Sequence, residues 1–382
     1  ARAQQMLYLG EGSCQYRRRL QEVAISDVAV NLLWLRPGKV GGSEDYAIEL
    51  LRAISESPQS PSIEVVASIA TMAAHPFLAD SFKIEYQNSR FGRAGRIRLE
   101  NSFFAQSKKY QLVHHLGGTH PQSKGCRSLV SIYDLQYLQY PEYFSLVKRR
   151  YLESAIPRTL ATADAICVMS EFVANAIEQH FGYPRTRCYV IPPAIKATHP
   201  RSAYQPREKE FILYPAVTWP HKSHQFLFEL IEQVDDLDLI LTGARGPAHN
   251  EVLKAADDSP ASNRISHLGR VSSDQLDSLY RQALCTVFPS QYEGFGLPVL
   301  EAMSRNCPVI AGNGGALTET VGSGGRTLPL NLDLWVRALE DMREPENRRT
   351  WVELGYERAS QFSPNRAAKA QLAAYSDLLE RR

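Results

Sequence analysis

The sequence has no apolar run of the roughly 18 residues that a transmembrane helix requires. Its first segment, ARAQQMLYLGEGSCQYRRRL, lacks the apolar core of a secretory signal and is interpreted as an irregular start. Cysteine is scarce, since six residues are scattered along the chain without a C-x-x-C pair. This spacing argues against a disulfide framework or a zinc site and favours reduced thiols. We therefore expect a cytoplasmic protein.

The chain also lacks a strong charge of either sign. Its net charge of +2 argues against a dedicated nucleic-acid-binding protein, so no nucleic-acid partner is expected. The basic residues concentrate in 82–110, FKIEYQNSRFGRAGRIRLENSFFAQSKKY, where they interleave with Phe and Tyr. This segment has two interpretations: a solvated loop and helix face, or a contact with an anionic or lipid-linked partner at the inner membrane face.

Several catalytic signatures are missing. The sequence holds no G-x-G-x-x-G, no G-x-x-x-x-G-K-[ST], no H-E-x-x-H and no G-x-S-x-G. The DLD at 236–238 imitates a metal-binding D-x-D, but it lies at the start of a predicted strand, the end opposite an expected site. We therefore predict no metal and no cofactor.

The pattern that is present is an alternation of strands and helices. Apolar runs such as VAVNLLWL (28–35) and DAICVMS (164–170) predict buried strands, and helical apolar spacing follows several of them. At 382 residues the chain is long enough for two domains. The polar, proline-bearing segment 196–210 divides it, so we predict an α/β protein of two Rossmann-like domains, 1–200 and 201–363.

Ligands of such folds bind beyond the carboxyl ends of the strands, so the loops there contain the candidate residues. One such loop, RPGKVGGSED, places Gly41 and Gly42 where a phosphate or an acceptor could approach the backbone. Ser43 is predicted to cap the helix that follows.

The most informative stretch is SQYEGFGLPVLEAM (290–303), a strand-to-helix turn with two acids, Glu293 and Glu301. Free amides at Gly294 and Gly296 favour a diphosphate, and the carboxylates could accept bonds from vicinal sugar hydroxyls. The alternative is a helix start with acids that favour its dipole. Spacing alone leaves both interpretations open.

The residues FPSQYEGFGLPVLEAMSRNCPVIAGNGGALTE closely resemble the donor-site signature of family 4 glycosyltransferases, which have the GT-B fold. NLLWLRPGKVGGSEDYAIELLRAI and LYPAVTWPHKSHQFLFELI are similar to other parts of that family. The resemblance implies that Glu293 contacts the transferred sugar and Glu301 the nucleotide ribose. It places Phe295, Gly296 and Leu297 along the pyrophosphate and sugar, and Lys222 on the donor phosphates. By itself, Lys222 could equally be a solvated residue at a helix start.

The same resemblance implies a histidine near the anomeric carbon within VHHLGGTHP (113–121). Alternation along a strand puts His114 and His115 on opposite faces, so one of them is expected to face the cleft. We favour His115 as the catalytic residue and keep His114 as a substrate-binding candidate. A packed histidine is the alternative for each.

The chain departs from the family pattern at two places. An arginine common in the family is replaced by Ala216, and Arg245 is a candidate substitute. Gly243, two residues before it, is a further substrate-binding candidate. Tyr133 stands where many relatives have histidine, before the candidate Asp134.

The resemblance implies a retaining hexosyltransferase with a nucleoside-diphosphate sugar as donor and a glycan, lipid-linked or small-molecule acceptor. It also implies that a C-terminal helix, 364–382, crosses back to the N-terminal domain. A catalytically silent sugar-nucleotide-binding protein and a GT-B sugar-nucleotide epimerase are the alternatives.

Overall fold

A computed structural model describes residues 26–58, 60–88, 92–106, 109–121, 126–195 and 208–381. Within these residues the chain forms two parallel sheets, one of seven strands and one of six. The first sheet contains β1 (Ser26–Asn31), β2 (Ile63–Ala67), β3 (Lys83–Tyr86), β4 (Tyr110–His115), β5 (Arg127–Ser131), β6 (Ala165–Val168) and β7 (Cys188–Val190). The second contains β8 (Phe211–Pro215), β9 (Asp238–Thr242), β10 (Ile265–His267), β11 (Cys285–Phe288), β12 (Val309–Gly312) and β13 (Arg326–Leu328).

Helices connect and cover these strands. Those of the first half are α1 (Gly42–Ser55), α2 (Ile69–Ala74), α3 (Phe77–Ser81), α4 (Gly92–Gln106), α5 (Gln136–Gln139), α6 (Leu146–Thr162) and α7 (Glu171–Phe181). Those of the second half are α8 (His224–Glu232), α9 (His249–Asp258), α10 (Ser273–Gln282), α11 (Leu297–Ser304), α12 (Leu317–Val321), α13 (Leu332–Arg343), α14 (Pro345–Ser360) and α15 (Pro364–Glu380). Short 3₁₀ turns, among them Pro220–Lys222, complete the connections.

The strands carry continuous apolar runs because helices cover both faces of a parallel sheet. β6 and β11 are buried along their whole length. The predicted α/β class with two Rossmann-like domains of the GT-B type is confirmed by these two sheets.

The strand order positions the site. The sheets run β3-β2-β1-β4-β5-β6-β7 and β10-β9-β8-β11-β12-β13, so each order reverses once. The reversals lie between β1 and β4 and between β8 and β11, and crevices form at such switch points. The loops after these four strands therefore border the crevices, and they contain the predicted site residues Gly41, Lys222 and 293–296.

The last helix packs with the elements of the first sheet. α15 packs against α1 and β4, and its Ala367, Ala374, Tyr375 and Leu378 lie in the same core cluster as β1 and β2. The linker predicted at 196–210 falls mostly on 196–207, outside the described residues, so the boundary at residue 200 stays a prediction.

One local prediction is wrong at a helix start. We expected Ser43 to cap α1, but Gly41 holds that position with φ 68°, and the Ser43 hydroxyl donates to the Val40 carbonyl. Lys222 ends a 3₁₀ turn, and α8 begins after Ser223.

Candidate active site

The turn between β11 and α11, residues 289–296, is called the acidic turn below. Gly296 ends it with φ 98°, a conformation that favours glycine, and Pro298 is the second residue of α11. Proline suits the first helical turn because its missing N–H has no partner there anyway. Glu293 therefore lies in the turn, and Glu301 lies one turn inside the helix.

Lys222 and Glu293 form an ion pair although 71 residues separate them. Their side chains are only 16% and 15% exposed, so the pair is mostly removed from water. The Gln291 amide donates to the His221 carbonyl at 2.8 Å, and the Tyr214 hydroxyl donates to the Lys222 carbonyl at 2.8 Å. The first bond holds the 220–222 turn against the acidic turn, and the second holds it against β8.

His221, beside this pair, is neutral at physiological pH. Burial and the neighbouring Lys222 charge lower the pKa of His221 to about 4, while Glu293 opposes the shift. The positive charge at this place therefore comes from Lys222.

A second glycine-bearing loop, 313–316 after β12, packs closely against the acidic turn. A Cβ on Gly315, whose φ is 64°, would lie 2.3 Å from the Glu293 carbonyl oxygen. A Cβ on Gly314 would lie 2.4 Å from the Gln291 carbonyl. The Ala316 amide donates to the Glu293 carbonyl at 2.9 Å. Only glycines allow this approach, which fixes the backbone that carries Glu293.

The N-terminal domain contributes two loops to the same place. A Cβ on Gly42 would lie 3.6 Å from Leu297 Cδ1, and the neighbouring Gly41 has no atom within 4 Å of its ideal Cβ position. The structure thus brings the predicted glycine loop directly against the start of α11 and leaves space beside Gly41.

The loop after β5 closes on the acidic turn from the other side. A Cβ on Gly294 would lie 2.6 Å from the Tyr133 carbonyl oxygen and 3.0 Å from Asp134 Cβ. Asp134 remains open to solvent. The surrounding protein and, more weakly, Glu293 raise the pKa of the Asp134 carboxyl, while the Gln136 amide and Lys148 oppose the rise. Glu293 is therefore close enough to Asp134 to disfavour its charged form.

Glu301 interacts electrostatically with a carboxylate of the other domain. Burial raises the pKa of the Glu301 carboxyl, Arg305 lowers it, the charge of Asp45 in α1 raises it, and interaction with the Tyr280 hydroxyl lowers it. When ionised, this carboxylate can accept a hydrogen bond from a hydroxyl.

The two adjacent histidines do differ in direction. Both ring nitrogens of His114 are engaged, Nδ1 at 2.7 Å from the Tyr375 hydroxyl and Nε2 at 2.9 Å from the Ser131 hydroxyl. His114 is thus a packed histidine beneath α15, a placement that does not support its prediction as a substrate-binding residue. His115 Nδ1 lies 3.1 Å from Asn31 Nδ2, and its Nε2 has no partner among the described residues.

Phe295 and Arg245 lie apart from the ion pair. The Phe295 side chain is buried against Phe362, so only its backbone faces the turn. Arg245 is exposed, and in the described part of the chain no hydrogen bond or ion pair links it to Lys222 or Glu293. Gly243, with φ 139°, instead permits a close approach, since its Cβ would lie 2.3 Å from the Ala216 carbonyl oxygen.

Three side chains that sequence reasoning missed, those of Glu319, Ser170 and Tyr292, join the two domains around the acidic turn. The Glu319 carboxylate accepts from the amides of Glu171 and Phe172 at 2.8 and 2.9 Å, so it caps α7 from the other domain. The Ser170 hydroxyl donates to the Gly294 carbonyl at 2.9 Å, and the Leu135 amide donates to the Tyr292 hydroxyl at 3.1 Å. Glu319 belongs to the quoted GNGGALTE stretch, but nothing in its spacing indicates a partner in the other domain.

Two basic side chains of the segment 82–110 form contacts within the protein. Lys109 pairs with Glu64 and Glu85 at 2.8 and 2.9 Å, and Arg96 donates to the Trp34 carbonyl at 3.4 Å. These two side chains are therefore engaged within the protein and do not belong to a solvated face. Among the described residues, no group of His, Cys, Asp and Glu is suited to a metal ion. No helix in this part of the chain has the length and apolar character needed to span a membrane.

Comparison with known proteins places this geometry in a family. Residues 40–199 match the family described as Glycosyltransferase Family 4, and residues 196–352 match Glycosyl transferases group 1. The chain is 26% identical over 324 residues to O-antigen chain mannosyltransferase B of Escherichia coli. The aligned region covers 80% of this chain and 82% of the relative.

Solved structures agree in fold. Sucrose-phosphate synthase from Thermosynechococcus elongatus superposes with a TM-score of 0.76 at 18% identity, covering 92% of this chain and 99% of the other. HepE from Anabaena, solved with UDP-glucose, gives a TM-score of 0.69 at 18% identity, covering 91% and 98%. Two consecutive family matches that span most of the chain, on a fold with two parallel sheets, identify this protein as a glycosyltransferase of family 4, group 1.

Proposed function

We propose that this enzyme transfers a hexose-type sugar from a nucleoside-diphosphate sugar to a hydroxyl of a glycan, lipid-linked or small-molecule acceptor, with retention of anomeric configuration. The observation that carries the proposal is the mostly buried Lys222–Glu293 pair, held where loops of both domains meet. A cation and a carboxylate at one place suit a ligand that carries a diphosphate and hydroxyls side by side.

The donor would lie along the acidic turn. Lys222 and the N-terminus of α11 would stabilise the diphosphate charge, with Gly296 and Leu297 beside it. Gly41 and Gly42 would allow it to approach the N-terminal domain. Glu293 would accept bonds from the sugar hydroxyls and Glu301 from the ribose. The UDP-glucose bound to the structurally similar HepE supports a donor of this class.

The pairing of Lys222 with Glu293 has a consequence for donor binding. Without ligand, each charge is balanced by the other. A diphosphate would replace the carboxylate as the partner of Lys222, which frees Glu293 to accept bonds from the sugar. Donor binding would thus prepare both groups in one step.

The chemistry needs no nucleophile from the protein. The bond between the anomeric carbon and the leaving phosphate oxygen breaks, and a bond from the acceptor oxygen forms on the same face of the sugar. The acceptor proton passes to the leaving phosphate. Lys222 and the helix dipole would stabilise the charge that develops there. Neither a metal nor a cofactor has a role in this proposal.

The donor is identified by a thermal-shift panel of UDP-, GDP- and ADP-sugars on the purified protein. A ligand at about 100 times its Kd should stabilise the fold by about 2.7 kcal/mol, a clear increase in Tm. NMR of the product then gives its anomeric configuration. An inverted product would refute retention, and turnover without an added acceptor would indicate an epimerase.

The role of Glu293 is tested by Glu293→Ala. We expect sugar transfer to be abolished while nucleoside-diphosphate binding largely survives, because this carboxylate contacts the sugar and competes with the diphosphate for Lys222. Isothermal titration with the nucleoside diphosphate and a transfer assay separate the two effects. Unchanged transfer would exclude a sugar contact.

The position of the enzyme in the cell is a separate matter from its chemistry. A peripheral contact with a membrane through 82–110 stays a prediction. Binding of the full chain to anionic vesicles, compared with neutral vesicles, tests it directly.

A further inference from the structure

The N-terminal domain contains a cavity of about 390 Å³ that the donor proposal does not use. Its volume is within the range of about 300–1,000 Å³ that is usual for small-molecule sites. It lies between α4 and α6 at the loop that follows β4. Its lining includes Glu100 and Asn101 of α4, Thr119 and His120 of the loop, and Ser154 and Arg158 of α6.

The hydrogen bonds around His120 define its tautomer. The Thr162 hydroxyl donates its proton to the Arg158 carbonyl at 2.8 Å, so its oxygen must accept in the 2.8 Å contact with His120 Nδ1. Nδ1 therefore carries the hydrogen, and Nε2 presents a lone pair. Burial lowers the pKa of His120, the Asp164 charge opposes this shift and the Arg158 charge adds to it, and the net lowering favours the neutral ring.

His120 Nε2 is an acceptor without a donor. The residue is only 6% exposed, and Nε2 has no hydrogen-bond partner among the described residues. A buried polar atom without a partner costs stability, typically about 1–3 kcal/mol, unless something supplies the missing bond. A ligand hydroxyl in the cavity would supply it.

The remaining polar groups suit the same kind of ligand. Glu100, 8% exposed, lies on the opposite wall and is held by Asn31 Nδ2 at 3.5 Å and Arg96 Nε at 3.8 Å. The Thr119 and Tyr151 hydroxyls lie 3.3 Å apart on the rim. Acceptors and hydroxyls spread over several walls match a compact molecule with many hydroxyls, such as a pyranose.

A series of contacts connects the cavity to the acidic turn. Asn31, which contacts Glu100, also contacts His115. The next residue along the chain, Leu116, accepts a bond from the Tyr133 hydroxyl at 2.6 Å, and the Tyr133 backbone lies against Gly294. The loop that carries His120 therefore begins beside the place where the donor is proposed to react.

We propose that this cavity binds a neutral sugar unit of the glycosyl acceptor, with one of its hydroxyls donating to His120 Nε2 and others bonded to Glu100 and Asn101. This inference rests on the proposed function, since it assigns the substrate class of the acceptor side. His120 is a specificity-determining residue here, because it holds the acceptor and takes no part in breaking the donor bond.

Ligand-observed NMR by saturation transfer tests the cavity with methyl glycosides of mannose, glucose, galactose and N-acetylglucosamine. At least one should bind the wild-type protein, and Ser154→Phe, which fills the cavity from an exposed helix position, should weaken that binding at least tenfold. The matched control is Ala161→Phe, an exposed residue of the same helix that does not line the cavity. Loss of binding in both variants, or in neither, would overturn the proposal.

His120→Phe removes the acceptor nitrogen and keeps an aromatic ring. It should also weaken glycoside binding at least tenfold, with binding of the nucleoside diphosphate unchanged. Circular dichroism melting checks that the variant folds, and Ser154→Phe answers the question if it does not. If no glycoside binds the wild-type protein while a nucleotide sugar does, the acceptor inference fails and the donor proposal stands. If no nucleotide sugar binds, the proposed function fails first.

Discussion

Lys222 is the residue on which donor affinity should depend most. We expect Lys222→Ala to weaken nucleoside-diphosphate binding roughly 10- to 100-fold, since a hydrogen bond to a charged group is worth about 1.5–3 kcal/mol. Binding of the free nucleoside should change little, because it has no phosphate for Lys222 to contact. Isothermal titration with both ligands measures the difference.

The control for this prediction is Lys209→Ala, a half-exposed lysine paired with Asp238 on another part of the same domain. It should leave both affinities unchanged. Equal losses for nucleoside and nucleoside diphosphate in Lys222→Ala would remove its phosphate role.

His114 makes stability depend on pH. Burial lowers its pKa to about 3, from about 6.5 in the unfolded chain. Between these values the unfolded state binds more protons, so the free energy of unfolding falls as the pH falls through 6.5 towards 3. His221 and His224, with pKa values lowered to about 4 and about 3, act in the same direction.

Urea denaturation at several pH values between 7 and 5 tests this. The variant His114→Gln should show a shallower dependence, by up to about 1.4 kcal/mol per pH unit, which is the contribution of one proton. A slope identical to that of the wild type would mean that His114 does not titrate on unfolding.

At the scale of elements, two glycines with positive φ allow the effect of backbone strain to be distinguished from the effect of steric crowding. Gly315 and Gly182 have φ of 64° and 63°, but only Gly315 has atoms close to its ideal Cβ position. Gly182→Ala should cost about 1 kcal/mol of stability, the penalty for a left-handed residue with a side chain. Gly315→Ala should in addition displace the backbone of Glu293 and lower transfer activity more than tenfold.

Melting curves and kcat/KM for both variants test this comparison. If Gly315→Ala loses no more activity than Gly182→Ala, then the 313–316 loop does not position the acidic turn.

At the scale of the whole molecule, Glu319 should control how closed the two domains are. Glu319→Ala leaves two amides at the start of α7 without their carboxylate, a capping loss typically worth about 0.5–2 kcal/mol. Because the acceptor of these bonds lies in the other domain, we expect a larger radius of gyration in small-angle X-ray scattering and a higher KM for the donor. Domain closure assembles such sites.

A matched control is Asp333→Ala, an exposed acid in the first turn of α13, whose helix lies within one domain. It should change neither the radius of gyration nor KM. An unchanged radius in Glu319→Ala would show that the contact does not hold the domains together.

The sequence predicted the parts of this protein that depend on near neighbours. Apolar runs such as 164–170 and helical spacing such as that of 171–181 led to the right elements, because burial repeats with the period of each element. The stretch 290–303 drew attention because two glycines, Pro298 and two acids stand close together in it, and the family resemblance then gave these residues their expected roles. The cap at Ser43 was wrong because loop closure at Gly41 outweighed the local preference for a serine cap.

What the sequence alone determined is therefore the α/β class, the division into two sheets and the position of the acidic turn. Tertiary structure decided which groups meet: Lys222 with Glu293, His114 with Tyr375, and Glu319 with the start of α7. These pairs are 71 to 261 residues apart. The order of strands in each sheet and the closure of the two domains set such contacts, and neither leaves a periodic pattern in the chain.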